Sequence, residues 1–185
     1  MSRVELLGAD DAPLVARRYY DEGDPGPIVA ALAQVPEMLD STLAFIGAVL
    51  GPSSIDGRTK ELVILRTSAV SLCRYCVDSH SVVALDTGVV HDEVAALRNV
   101  EAAWTATFAD PREAALLGWV DAVAGGRGPV SDESSARFKA EFADHEVVEL
   151  TLLIAATLML NRFCTALDLP TATAVLDRLR RERLA

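Results

Sequence analysis

Apolar residues recur along the chain at intervals of three and four, and no stretch alternates between apolar and polar residues over a useful length. The first spacing is typical of amphipathic helices, whereas alternation is typical of half-buried strands. Proline, glycine and capping residues mark where the helices begin and end. The pattern predicts helices at about 28–35, 36–50, 57–70, 72–86, 91–100, 111–125, 132–142, 144–164 and 171–184. We therefore expect an all-α protein of about eight to ten helices.

Three helix starts carry recognisable capping residues. Asp56 is a good N-cap for the third predicted helix, and Ser71 is a candidate N-cap for the fourth. Asp110 precedes a proline and is followed three residues later by Glu113, which is a strong start signal. These signals predict the beginnings of helices better than the apolar spacing alone.

Length and charge narrow the possible classes of protein. A chain of 185 residues can bury a sizeable core without a disulfide or metal to hold it together. We expect one domain spanning 1–185, with its core at about 30–170 and an N-terminal extension at 1–27. The formal net charge is −10, and the basic residues cluster only at 178–183. This charge argues against nucleic acid as a partner.

The chain carries no pattern typical of an exported or membrane protein. Residues 1–10 lack the apolar core of a signal peptide. The longest apolar run, 150–160, is too short to span a bilayer, so we interpret it as a buried core helix. We therefore expect a cytoplasmic location and three cysteines that are thiols rather than a disulfide framework.

The candidate chemistry lies at residues 72–80, where two cysteines and a histidine occur close together. On a helix, Cys73, Cys76 and His80 fall at i, i+3 and i+7, which places them on one face. The N-terminus of a helix favours a thiolate, and His80 lies one turn from Cys76, where it can accept the thiol proton. Glu61, on the preceding predicted helix, is a candidate partner that would orient His80.

Less specific interpretations of these residues remain open. Glu61 could instead form an ion pair with Arg58 or Arg66. Cys73, Cys76 and His80 supply three of the four ligands that zinc needs, with Glu61 as a possible fourth.

The remaining candidates have weaker patterns. Cys164 lies on the apolar helix and is interpreted as a buried core cysteine. His91 and His145 each lie near a helix start and are interpreted as surface or capping residues.

The segments 58–66 (RTKELVILR) and 73–80 (CRYCVDSH) resemble the alkylhydroperoxidase D-like, or carboxymuconolactone decarboxylase, superfamily. The chain is most similar to the peroxidase-type branch that keeps Glu, Cys-x-x-Cys and a His four residues later. The resemblance covers about residues 30–170 and includes the pattern at 145–167, which is mostly a packing signature. The best-known member has a histidine where this chain has Tyr75.

The resemblance implies an alkylhydroperoxidase D-like helical fold that reduces hydroperoxides without a cofactor or metal. The resemblance implies four site residues. Cys76 would be the attacking thiolate, and Cys73 would resolve it to a disulfide. His80 and Glu61 would relay the proton. A dithiol reductant, such as a lipoyl-bearing or thioredoxin-like protein, would regenerate the pair. The family also suggests a homo-oligomer, a trimer or a hexamer. The alternatives are a carboxymuconolactone decarboxylase-like lyase, whose members typically lack the cysteine pair, and a redox sensor or zinc-binding protein without enzymatic activity.

Overall fold

The structure is a computed structural model that describes residues 2–101 and 104–184. Within these residues it contains nine α-helices and no strand, so the expected all-α fold is confirmed. The helices are α1 (Pro27–Leu32), α2 (Pro36–Leu50), α3 (Gly57–Val70), α4 (Arg74–Asp86), α5 (His91–Leu97), α6 (Pro111–Gly125), α7 (Asp132–Glu141), α8 (Asp144–Leu167) and α9 (Thr173–Arg181). Short 3₁₀ turns lie at Arg17–Tyr20 and Trp104–Ala106.

Helix α3 lies at the centre of the molecule, because every residue from Lys60 to Ala69 is buried. It packs against α4, α6 and α8, so its polar as well as its apolar side chains face other helices. Its first turn is capped as the sequence predicts, with the Asp56 carboxylate accepting a hydrogen bond from the Thr59 amide at 2.9 Å. Any titratable side chain on α3 therefore needs a partner inside the protein.

Two apolar clusters lie on either side of α3. One joins α3 to α6, α7 and α8, where the ring of Trp119 stacks on Phe138 with centroids 4.9 Å apart. The other joins α3 to α4, α5 and α9 and contains Leu62, Leu65 and Leu179. The two clusters hold α3, α4 and α8 in fixed positions relative to one another.

Helix α8, predicted as a buried core helix, is buried on one face only. It is 24 residues long, and by length and composition it could cross a membrane. One face packs into the core through residues such as Leu153 and Ile154, but a row on the opposite face is exposed. The predicted core helix is present, but apolar residues surround it and its neighbours cover only one side.

The N-cap predicted for α4 is also corrected by the structure. Ser71 ends α3 instead, and Cys73 occupies the N-cap position of α4 without a side-chain capping bond. The chain turns between the two helices at Leu72, which has the left-handed backbone angle φ of 56°.

Candidate functional site

The end of α3 determines where Cys73 lies. The Leu72 amide donates to the Ala69 carbonyl and the Cys73 amide donates to the Ser68 carbonyl, both at 3.0 Å. These two bonds form a Schellman motif, which usually has glycine at the left-handed position. Leu72 adopts this conformation here with its side chain exposed. Cys73 is consequently the residue that both closes α3 and begins α4.

Three thiols converge at this point. The sulfur atoms of Cys73 and Cys76 lie 2.8 Å apart, and neither is part of a disulfide. The sulfur of Cys164, on α8, lies within 4.8 Å of both. All three side chains are buried. Cys164 was expected to be a core cysteine without a chemical role, and the structure brings it into the site.

The three thiols shift one another's pKa values. Hydrogen bonds from Cys164 and Cys76 lower the pKa of Cys73 to about 3. The contact with Cys73 raises the pKa of Cys164 to about 12. Hydrogen bonding with Cys164 and Cys73, together with burial, raises the pKa of Cys76. These directions favour ionisation of Cys73 over that of Cys76 or Cys164.

Glu61 and His80 form the second part of the site. The Glu61 Oε2 atom lies 2.9 Å from His80 Nδ1, joining α3 to α4. The Glu61 side chain is 9% exposed and that of His80 is 25% exposed. A buried carboxylate in this position holds the ring in one orientation, so that Nε2 is the nitrogen available to other groups.

The alternative ion pairs of Glu61 do not form. Arg58 is bound by Glu93 and Glu113, at 2.8 and 2.9 Å, and Arg66 is bound by Asp121 at 2.6 Å. Both arginines have their own carboxylates, so the Glu61 carboxylate contacts the imidazole instead.

The two parts of the site are adjacent on α4 but are not directly bonded. Within residues 2–101 and 104–184, no hydrogen bond joins His80 to Cys76. A proton passing between them needs a bridging water or a rotation of one side chain.

The structure changes the set of side chains that could hold a metal. The sequence suggests Cys73, Cys76, His80 and Glu61, but His80 and Glu61 bind each other. Among the described residues, the group whose ligand atoms all lie within 4.8 Å is Cys73, Cys76 and Cys164. Three thiolates suit a soft ion such as Zn²⁺ or Cu⁺, and the same three sulfur atoms are also suited to thiol exchange.

Two further polar residues support the site and were not identified from the sequence. Asn161, one turn before Cys164 on α8, accepts a hydrogen bond from the Ser68 hydroxyl at 3.1 Å. Both side chains are buried, and the Asn161 amide nitrogen has no hydrogen-bond partner among the residues that the structure describes. Their spacing could have indicated the site, because Asn161 and Cys164 lie at i and i+3 on an otherwise apolar helix and so share one face.

A cavity of about 240 Å³ opens beside the thiols. Cys73 and Cys164 line it together with Tyr75, Thr165 and Leu169, among others. Burial raises the pKa of Tyr75 to about 12, so its hydroxyl remains a hydrogen-bond donor at this position. The cavity therefore brings solvent-accessible space next to two of the three cysteine residues.

The remaining histidines lie outside the site. His91 is exposed at the start of α5 and pairs with the Glu182 carbonyl at 2.7 Å. His145 is exposed in the first turn of α8.

The site therefore combines buried thiols at the start of one helix with a carboxylate–imidazole pair between that helix and its neighbour. The sequence profile described as "Carboxymuconolactone decarboxylase family" matches residues 36–122. This range contains Glu61, both cysteines of the Cys-x-x-Cys motif and His80. Together with the fold, the match supports the resemblance to the alkylhydroperoxidase D-like, or carboxymuconolactone decarboxylase, superfamily.

Solved structures have the same fold. A protein of unknown function from Agrobacterium tumefaciens is 26% identical, with a TM-score of 0.69 over 77% of this chain and 96% of that one. An uncharacterized peroxidase-related protein from Ralstonia eutropha JMP134, with an alkylhydroperoxidase AhpD core, is 20% identical, with a TM-score of 0.76 over 94% of both chains. The debrominase Bmp8, solved with 2,3,4-tribromopyrrole, is 19% identical, with a TM-score of 0.78 over 98% of both chains. No curated protein sequence is significantly similar to the chain.

Proposed function

We propose that the chain is a thiol-dependent hydroperoxide reductase whose redox pair is Cys73 and Cys76. One observation carries the proposal: the buried pair lies on the same helix as His80, which is held by Glu61 at 2.9 Å. A thiol pair alone would suit a structural or metal role, whereas a carboxylate–imidazole pair beside it supplies the base that a nucleophilic thiol needs.

The proposed reaction has two steps. The Cys76 thiolate attacks the terminal oxygen of the hydroperoxide, the O–O bond breaks, and the alcohol leaves once it takes up a proton. The resulting sulfenic acid on Cys76 then condenses with Cys73 to form the disulfide and water. An external dithiol, on a lipoyl-bearing or thioredoxin-like protein, reduces the disulfide by exchange and is itself oxidised.

The proposal requires a proton to leave Cys76 before it attacks, because the pKa of Cys76 is raised whereas that of Cys73 is lowered. Two routes are available in the structure. The proton can pass to Cys73 across the 2.8 Å contact, or through a bridging water to the His80 ring. In the second route Glu61 stabilises the imidazolium and acts as a positioning residue.

The test is a titration of free thiols before and after a stoichiometric organic hydroperoxide is added. We expect two of the three thiols to be lost in the wild type and the loss of the pair to be abolished in Cys76→Ser. Unchanged thiols in the wild type would refute the proposal. A decarboxylation assay and metal analysis of the same sample test the lyase and zinc-binding alternatives, and 2,3,4-tribromopyrrole tests debromination.

We also propose that the chain forms a homo-oligomer in the cytoplasm, with residues 1–185 as one domain. Val148, Leu152 and Met159 form an exposed row along α8, with 68%, 46% and 44% of their surfaces accessible. Monomers rarely keep such a row in water, and a second copy with the same row would cover it. The resemblance favours a trimer or a hexamer.

The self-association is tested with Leu152→Arg, which places a charge in the middle of the row. We expect a lower molar mass by light scattering than for the wild type. Val83→Arg on α4, an exposed position with 41% accessibility, is the matched control. An unchanged mass for Leu152→Arg would remove the row from the interface.

A further inference from the structure

Cys164 is the thiol that the proposed reaction does not use. Its sulfur lies within 4.8 Å of both members of the redox pair, although α8 is separate from the Cys-x-x-Cys helix. A purely structural cysteine needs only apolar neighbours. This one has two other sulfur atoms within 4.8 Å, at the contact of α4 and α8.

The cavity wall distinguishes Cys164 from Cys76. Cys73 and Cys164 both line the 240 Å³ cavity, whereas Cys76 is not among its lining residues. A disulfide between Cys73 and Cys76 would therefore have only one of its two residues, Cys73, on the cavity wall. A disulfide between Cys73 and Cys164 would have both of its residues on the wall.

The exchange requires the Cys164 sulfur to reach the Cys73 sulfur. The two atoms lie within 4.8 Å of each other, and both side chains are buried where α4 packs against α8.

We propose that Cys164 is a third redox thiol, which moves the disulfide from Cys73–Cys76 to Cys73–Cys164. The Cys164 thiolate attacks the Cys73 sulfur, the Cys73–Cys76 bond breaks, and Cys76 leaves as a thiolate that takes up the proton given up by Cys164. The exchange needs no further oxidant, because one disulfide is broken for each one formed. It rests on the proposed function only for the source of the first disulfide.

The consequence is a division of roles among the three cysteines. The oxidising equivalent is generated at Cys76 and then moves to Cys73 and Cys164, the two cysteines that line the cavity. The second disulfide also links the start of α4 to α8, whereas the first closes only one turn of a helix. The exchange is therefore detectable both chemically and by its effect on stability.

The first experiment maps disulfides in the wild type. The protein is oxidised with one equivalent of an organic hydroperoxide and, separately, with diamide, which accepts the two electrons without using the peroxidase reaction. Free thiols are alkylated at low pH, and linked peptides are identified by mass spectrometry. We expect the Cys73–Cys164 peptide to make up at least about a tenth of the total disulfide in both samples.

The second experiment uses Cys76→Ser, which leaves only the proposed second pair. Diamide should close Cys73–Cys164 within one chain and raise the melting temperature, and dithiothreitol should reverse both changes. Ala156→Ser is the control, since it buries a hydroxyl two turns earlier on α8 and should leave the disulfide mapping as in the wild type.

The outcomes separate this inference from the proposed function. Only Cys73–Cys76 in both wild-type samples, or only intermolecular disulfides in Cys76→Ser, would overturn the role of Cys164. Unchanged thiols with hydroperoxide, but Cys73–Cys164 after diamide, would refute the peroxidase and leave the exchange supported. If Cys76→Ser does not fold, the wild-type mapping alone decides.

Discussion

Replacing Glu61 by glutamine tests the proposed proton relay most directly. The carboxylate is 9% exposed and contacts the His80 ring at 2.9 Å. Glutamine keeps the size and hydrogen-bonding capacity of the side chain while removing its negative charge. Arg58 and Arg66 have other carboxylate partners, so the substitution does not release a buried cation.

The expected magnitude follows from the contact. A hydrogen bond to a charged group contributes about 1.5–3 kcal/mol, and each 1.4 kcal/mol corresponds to a factor of about ten. If the charge acts fully in the transition state, Glu61→Gln slows thiol oxidation about 10- to 150-fold at neutral pH. The raised pKa of Cys76 makes the base most important at neutral pH, so the defect should shrink as the pH increases.

The assay is the single-turnover loss of thiols with an excess of organic hydroperoxide, followed from pH 6 to pH 10. Glu149→Gln is the control outside the site, because that carboxylate binds the Ser54 hydroxyl at 3.2 Å and pairs with Lys60 at 3.6 Å. His80→Gln and the double variant complete a cycle. If Glu61 acts through His80, the double variant is no slower than His80→Gln alone. Additive effects, or a Glu61→Gln rate within twofold of the control, would refute the relay.

Three other measurements test separate parts of the structure. A sulfenic-acid probe should label Cys76 in Cys73→Ser and label nothing in Cys76→Ser; labelling of Cys73 in the latter would reverse the two roles. Leu72→Gly should increase the free energy of unfolding by about 0.5–1 kcal/mol in urea, because it relieves a left-handed leucine that is exposed; a loss of stability would contradict this account. Arg58 lowers the pKa of Glu93 below its ordinary value of 4.5. The pair therefore contributes stability that is present above pH 4.5 and is lost as the pH falls below it. In Arg58→Met, the melting temperature should fall less steeply as the pH is lowered below 4.5. An unchanged pH dependence would show that the pair does not cause the loss of stability in acid.

Much of the helical pattern was predictable because capping is a local property. Asp56 and Asp110 cap the helices that the sequence assigns to them, and α2 begins and ends where Pro36 and Gly51 predict. These residues act within one turn of their own position, so neighbouring sequence suffices to interpret them. The N-cap of α4 was predicted two residues too early, at Ser71 instead of Cys73. The Schellman motif usually has glycine at its left-handed position, and a leucine there does not indicate the motif.

Part of the candidate site could also be predicted. The face shared by Cys73, Cys76 and His80 follows from helical spacing alone. Whether Glu61 binds His80, Arg58 or Arg66 could not be decided from the sequence. The answer depends on which other carboxylates reach the two arginines. Glu93, Glu113 and Asp121 come from α5 and α6, and only their packing against α3 engages the two cations.

Local sequence was enough to predict the helices, the caps Asp56 and Asp110 and the order of the reactive residues on α4, because these depend on contacts within a few residues. Only the tertiary structure decided that Cys164 joins Cys73 and Cys76, and that Asn161 bonds to Ser68. Both contacts form where α8 crosses α3 and α4, between residues far apart in the chain. The burial of α3 leaves its polar groups no water to bind, so the packing of α4 and α8 determines the partners they find.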